Sequence, residues 1–176
     1  MTPVADAEIL FRTYHRRVFR YLYRTAGEVD TAHDLTQDVF LRVSRVAVPE
    51  ASEGDQAAWL FQIARNILLD HWRRLGRRPR ETTPEAHNLG GRPASQETAA
   101  AVNQALATLS DVDRDVFLLR EVAGLGYEEI GSICNLTPDA VRNRIHRARL
   151  ALRQLLEAPI AVRRIAPLGR NGMSHD

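Results

Sequence analysis

The sequence predicts an all-α protein: two small helical domains joined by a flexible linker, the second built as a helix–turn–helix. Three observations lead there. Apolar residues recur at spacings of three and four through most of the 176 residues, and no alternating stretch is long enough for a strand. Residues 79–98 (PRETTPEAHNLGGRPASQET) break that periodicity with three prolines and a Gly-Gly pair, the composition of a linker. Residues 127–155 place a short apolar helix, a three-residue connection and an amphipathic helix in succession. The resulting division is 1–78 for the first domain, 79–98 for the linker, 99–158 for the second domain and 159–176 for a loose basic tail.

In chain order, residues 6–26 carry Ile9, Leu10, Tyr14, Val18, Tyr21 and Leu22 as one helical stripe, with Arg16, Arg17, Arg20 and Arg24 off it, and Gly27 ends the helix. Asp30 or Thr31 caps the next, which runs to about Val46 with Leu35, Val39, Phe40 and Val43 inward. Its outer row of Asp34, Gln37, Asp38 and Arg42 fits simple solvation or a partner-binding face. Residues 47–55 hold a proline, a glycine and three acids and form a loop. A helix over 56–75 buries Leu60, Ile63, Ala64, Ile67, Leu68 and His71. Gln62, Asn66 and Arg73 line its far side, and Arg74, Arg77 and Arg78 extend the basic character. Trp59 reads as core, whereas Trp72 among arginines fits either core packing or stacking on an unpaired base.

The second domain opens with Val102, Ala105, Leu106 and Leu109 on one stripe, followed by a connection over 110–113 and a helix over 113–122 bearing Val116, Phe117 and Leu119. Residues 127–134 (YEEIGSIC) turn Ile130, Ile133 and Cys134 inward, and Gly131 permits close approach of another helix. Asn135 tolerates the left-handed conformation of the corner. Thr137 caps the last helix and Pro138 occupies its first turn, where a missing N–H costs nothing. Val141, Ile145, Ala148, Leu152 and Leu155 form its buried stripe. Arg142, Asn143, His146 and Arg147 face the other way, with Arg149 and Arg153 on the flank. Such a helix suits the major groove, with arginines near its start reaching base edges and phosphates. An amphipathic hairpin with a solvated basic face has the same pattern.

The totals narrow the class. A net charge of +2 conceals segments of −2 (1–60), +5 (61–80), −6 (81–134) and +5 (135–176), so two basic stretches flank an acidic one. A protein that touches a long polyanion at two places has this layout. All 24 basic side chains other than histidine are arginine, which suits bidentate phosphate and guanine contacts, and which a GC-rich genome also produces. The lone Cys134 excludes an internal disulfide and a cysteine-rich zinc site, and its place on an apolar stripe argues for a core thiol. There is no apolar run near the ~18 residues of a membrane span and no signal-peptide layout, so membrane insertion is not expected and the cytoplasm is the expected compartment. No paired His/Asp/Ser cluster, metal-ligand spacing or glycine-rich phosphate loop is present, so neither an enzyme, a metal nor a cofactor is expected.

Three stretches resemble the extracytoplasmic-function (ECF) group of bacterial sigma factors in the sigma-70 family. Residues 32–41 (AHDLTQDVFL) resemble its region 2.2, residues 58–66 (AWLFQIARN) its regions 2.3 to 2.4, and residues 118–122, 127–130 and 144–149 its region 4. The resemblance spans about residues 8–157, leaving out the linker and tail. It implies that Asp34, Gln37 and Asp38 dock on core RNA polymerase. It implies that Gln62 and Asn66, with Arg73 and Arg74 holding the backbone, engage the −10 element of promoter DNA. Arg142, Asn143, His146 and Arg147 would then read the −35 element, and an anti-sigma factor would be a further partner. A stand-alone helix–turn–helix regulator is the competing class; it explains residues 99–157 but not the first domain.

Overall fold

A computed structural model describes residues 3–50, 52–76 and 96–157, with side chains from residue 7 in the first stretch and residue 101 in the last. Arg77 and Arg78, most of the expected linker and the expected tail lie outside the described residues. Seven helices are formed within them: α1 (Pro3–Ala26), α2 (Val29–Val43), α3 (Glu53–Leu75), α4 (Gln96–Ala107), α5 (Asp111–Glu121), α6 (Tyr127–Cys134) and α7 (Pro138–Glu157).

Local chemistry sets the boundaries. Gly27 ends α1 at φ 86°, its N–H donating to the Tyr23 carbonyl at 2.9 Å. The cap of α2 is Glu28, not Asp30 or Thr31; Thr31 lies inside the helix and donates its hydroxyl to Glu28 Oε2 at 3.0 Å. This helix stops at Val43 rather than Val46, closing in a turn in which the Arg45 and Val46 amides reach back to Arg42 and Val43. Three residues expected in a loop belong to α3, because Ser52 accepts the Asp55 N–H at 3.2 Å and so starts the helix at Glu53. Ser110 does the same for α5 through the Asp113 N–H at 3.1 Å, turning the expected connection over 111–113 into a first turn. The second domain's first helix begins at Gln96, inside the segment expected to be linker.

The first half packs α1, α2 and α3 around Val18, Tyr21, Leu22, Val39, Leu60 and Phe61, all fully buried. Removing one large apolar side chain of this kind from water contributes about 1.5–3 kcal/mol. The second half closes α4 to α7 around Val116, Leu119, Ile130, Val141 and Ile145. Leu118 is also buried, while Phe117, placed inward by the sequence, is half-buried. Other inward assignments change as well: Phe40, Val102 and Cys134 are half-buried. Ile9 is 57% exposed because the buried face of α1 runs through Ala7, Leu10 and Tyr14 and leaves Ile9 on the solvent side with Arg12 and Thr13, and Leu155 is 38% exposed near the end of α7. Ile63 and His71 are half-buried at the stripe's edge.

The halves share one core. Tyr21 packs edge-to-face on Phe61 at 5.7 Å between centroids and sends its hydroxyl to Asp115 Oδ1 of α5 at 2.6 Å. Arg65 of α3 donates to the other oxygen of that carboxylate at 2.5 Å.

Candidate nucleic-acid and polymerase interfaces

The α6–α7 corner is built by backbone requirements. Asn135 sits in the left-handed region at φ 56°, ψ 51°, and the amides of Asn135 and Leu136 both reach the Gly131 carbonyl. A Cβ at Gly131 would lie 2.6 Å from the Leu136 carbonyl oxygen, so only glycine admits this approach. Thr137 then caps α7, its hydroxyl accepting the Ala140 N–H at 3.2 Å. This is the expected turn, and it aims the exposed row Arg142, Asn143, His146 and Arg147 away from the buried Val141, Ile145 and Ala148.

The arginines of that row are held in place. Arg142 donates to Asp139 at 2.8 Å and lies over the Tyr127 ring at 5.5 Å, while Arg120 covers the same ring at 5.2 Å. Asp113 of α5 accepts from Arg144 at 2.8 Å and from Ser110 at 2.8 Å, and pairs with Arg147 at 3.6 Å. Burial pushes the Asp113 carboxyl up, but the bonds from Arg144 and Ser110 and the charges of Arg144 and Arg147 together outweigh it. Its pKa therefore lies below the ordinary carboxylate value. Arg149 meets Glu121 at 2.6 Å, and Arg153 is exposed.

On α3, Gln62, Asn66 and Arg73 are exposed and share one face at helical spacing, with Arg74 exposed beside them. Arg73 pairs with Asp70, one turn back. Trp72 does not belong to this face. It is buried to 3% exposure, and its indole N–H has no hydrogen-bond partner, so it is core and not a stacking platform for a base.

On α2, Asp34, Gln37 and Asp38 are exposed. Beside them a groove of about 640 Å³ runs between α1 and α2, lined by Phe11, His15, Phe19, His33, Phe40 and Leu41 with Asp34 and Gln37 on its rim. Phe11 stacks on His15 at 4.8 Å and meets Phe40 edge-on at 5.0 Å. The aromatic half of this surface is absent from the sequence-based expectation. Its signal was available: Phe11 and Leu41 are large apolar residues off the buried stripes, and each is 46% exposed.

Residues 10–78 match the family described as Sigma-70 region 2, and residues 99–152 match Sigma-70, region 4. The chain is 34% identical over 150 residues to the ECF RNA polymerase sigma factor SigC of Mycobacterium tuberculosis, covering 82% of this chain and 80% of that one. It belongs to the ECF group of the sigma-70 family. This sigma factor is also 36% identical over 157 residues to the ECF RNA polymerase sigma factor SigE of Mycolicibacterium smegmatis, covering 84% of the present chain but 60% of that relative's length. Among solved structures, its fold is similar to the sigma factor RpoE in complex with the anti-sigma factor NepR from Bartonella quintana. The TM-score is 0.69 at 22% identity, covering 89% of this chain and 99% of that one. CnrH in complex with the cytosolic domain of CnrY gives 0.66 at 24% identity, covering 89% and 96%.

Membership in this family accounts for the first half of the chain, which a stand-alone regulator leaves unexplained. Among the described residues of this sigma factor, no helix is long and apolar enough to cross a membrane, and no three His, Cys, Asp or Glu side chains are grouped to hold a metal ion. Cys134 is half-buried beside Asp115; burial and then that carboxylate's charge push its thiol up to about 12, the opposite of a nucleophile's environment.

Proposed function

We propose that this sigma factor directs core RNA polymerase to promoters through three separate faces. Asp34, Gln37 and Asp38 dock on core polymerase, with the adjoining aromatic groove as their apolar complement. Gln62 and Asn66 engage a base of the −10 element exposed as the duplex opens, and Arg73 and Arg74 hold its backbone. Arg142, Asn143, His146 and Arg147 read the −35 element from the major groove. In domain terms, 1–78 serves the polymerase and the −10 element, 99–158 serves the −35 element, 79–98 links them and 159–176 is a basic tail.

The observation that carries the reading is the exposure of all three faces on helices whose opposite sides are fully buried. The buried stripes supply the cores of both halves, so the polar rows present their outward groups to partners even where Arg142 and Arg147 also make ion pairs. An anti-sigma factor is a further proposed partner, since both structural neighbours named above were solved bound to a second protein, one of them called an anti-sigma factor. The decisive experiment is transcription with purified core polymerase over a promoter library. Runoff products that require this chain and share −10 and −35 sequences are expected. Tight sequence-specific binding by the protein alone, with no stimulation of polymerase, would overturn the reading.

A further inference from the structure

We propose that Asp113 and Tyr127 are specificity-determining residues that act through other side chains: Asp113 positions Arg147 and Tyr127 positions Arg142. This inference rests on the −35 reading proposed above. The buried stripe of Val141, Ile145, Ala148 and Leu152 leaves Asn143 facing straight outward from α7. At about 100° per residue, Arg142 and Arg147 stand about 140° apart on its two flanks. Their side chains are 60% and 64% exposed. A long, solvated arginine samples many rotamers, and a bidentate contact to a guanine edge uses only a few of them. A contact that favours those rotamers before the base arrives raises discrimination, because less ordering remains to be done on binding.

The anchor of Arg147 is itself fixed. Asp113 lies in the first turn of α5 with its side chain only 20% exposed. Its Oδ2 accepts the Ser110 hydroxyl at 2.8 Å, and its Oδ1 accepts from Arg144 at 2.8 Å. Arg147 Nη2 lies 3.6 Å from that same Oδ1. This is longer than a hydrogen bond, so the carboxylate orients the guanidinium by charge and leaves its N–H donors for a base.

Arg142 is anchored differently. Its Nη1 donates to Asp139 at 2.8 Å, and its guanidinium carbon lies 5.5 Å from the centre of the Tyr127 ring. Arg120 steadies that ring from 5.2 Å, and its own Nη1 donates to the Leu125 carbonyl at 2.7 Å. Without the ring, Arg142 has a competing place to go. A polar recess of about 430 Å³ opens beside it, walled by Asp55, Tyr127, Glu128 and Glu129. Three carboxylates there draw a guanidinium away from the outward face, and the cation–π contact opposes them.

The test is transcription by the complete chain with saturating core polymerase over a −35 library, with thermal melts of each variant alongside. Asp113→Asn, which keeps the shape and removes the charge, should lower discrimination about two- to fivefold at the base positions that Arg147→Ala flattens. Positions read by Arg142 should be unchanged. Holoenzyme binding to unrelated −35 sequences should tighten, with a log–log salt slope steeper by up to about 0.9, because one more arginine charge is free for a phosphate. Asp113→Glu keeps the charge but moves it, so it should lose discrimination without the change in slope; it also carries the test if Asp113→Asn fails to fold. Tyr127→Leu should lower discrimination about two- to fivefold at the positions read by Arg142 alone, and Tyr127→Phe, which keeps the ring, should retain wild-type preference. A uniform loss over all sequences, or equal flattening of both sets of positions, would mark these residues as structural and overturn the proposal. So would Tyr127→Phe behaving as Tyr127→Leu does. A wild-type holoenzyme with no −35 preference at all would instead overturn the functional reading on which the inference stands.

Discussion

Gly131→Ala sets two known magnitudes against each other. In the interior of a helix, alanine is favoured over glycine by about 1 kcal/mol, so propensity alone predicts a more stable protein. The Cβ, however, would sit 2.6 Å from the Leu136 carbonyl oxygen and 3.8 Å from the Pro138 nitrogen. Both are backbone atoms of the corner, so neither can swing aside as a side chain would. Leu136 is itself tied back by its amide to the Gly131 carbonyl at 2.9 Å. Overpacking of this kind costs about 1–3 kcal/mol, and here the corner must open to relieve it. A net loss of about 1 kcal/mol is expected, a fall of roughly 4–8 °C if the second half melts as a small unit. Because relief moves α7 relative to α6, −35 selectivity should fall more than core binding does. Thermal melting followed by circular dichroism, paired with transcription from a −35 library, reads both. A melting temperature above wild type would refute the steric argument, since propensity would then have won.

The remaining expectations concern other sites. Asp34→Arg with Asp38→Arg should abolish core binding while changing stability by no more than ~0.5 kcal/mol, since both carboxylates are exposed; a large drop in melting temperature would mark them as structural. Arg142→Ala and Arg147→Ala should each flatten −35 preference by about 1–3 kcal/mol at one or two base positions, whereas Arg153→Ala should act equally on all promoters or not at all; an unchanged ranking of sites by the first two would put the reading face elsewhere. Cys134 should react with a disulfide reagent at pH 8 at least a hundredfold more slowly than a free thiol, because a pKa of about 12 leaves little thiolate, and a rate near that of free cysteine would contradict its half-buried setting. Asp113 has a folded pKa below its unfolded value, so its stabilisation is present above about pH 4 and is lost as pH falls through the lower folded value. Asp113→Asn should therefore flatten the acid limb of the stability curve, and an identical acid limb would show that the ion pairs contribute nothing.

Periodicity made the helices legible, because burial on one side leaves a spacing of three and four that does not depend on distant partners. The corner at Asn135, the Thr137 cap and the exposed rows on α2, α3 and α7 follow from that local chemistry. The expectations that changed are those decided by what lies across from a residue. Ile9 lies one residue off the face that α1 buries through Ala7 and Leu10, Leu155 is left exposed near the end of α7, and Trp72 is buried although its sequence neighbours are arginines. Boundaries shifted wherever a serine cap competed with an apparent loop, as at Ser52 and Ser110. The contact between halves had no local signature at all. Arg17 and Arg24 lie off the apolar stripe of α1 with no partner nearby in sequence, and it is α4 and the turn after α5 that place acceptors opposite them, as α5 and α6 do for Arg65.

Both tryptophans, Trp59 and Trp72, belong to the first half, one half-buried and the other buried without a polar partner for its indole. Their emission therefore reports the melting of α1 to α3 and, through Trp72 beside Arg114 and Asp115, the contact with α5, whereas the far-ultraviolet helix signal counts all the helices. The shared core through Tyr21 and Asp115 then has a thermodynamic signature: when the halves are coupled the two signals lose their native values at one temperature, and cutting that coupling separates them. A protein with this distribution of chromophores carries its own gauge of how strongly one half depends on the other.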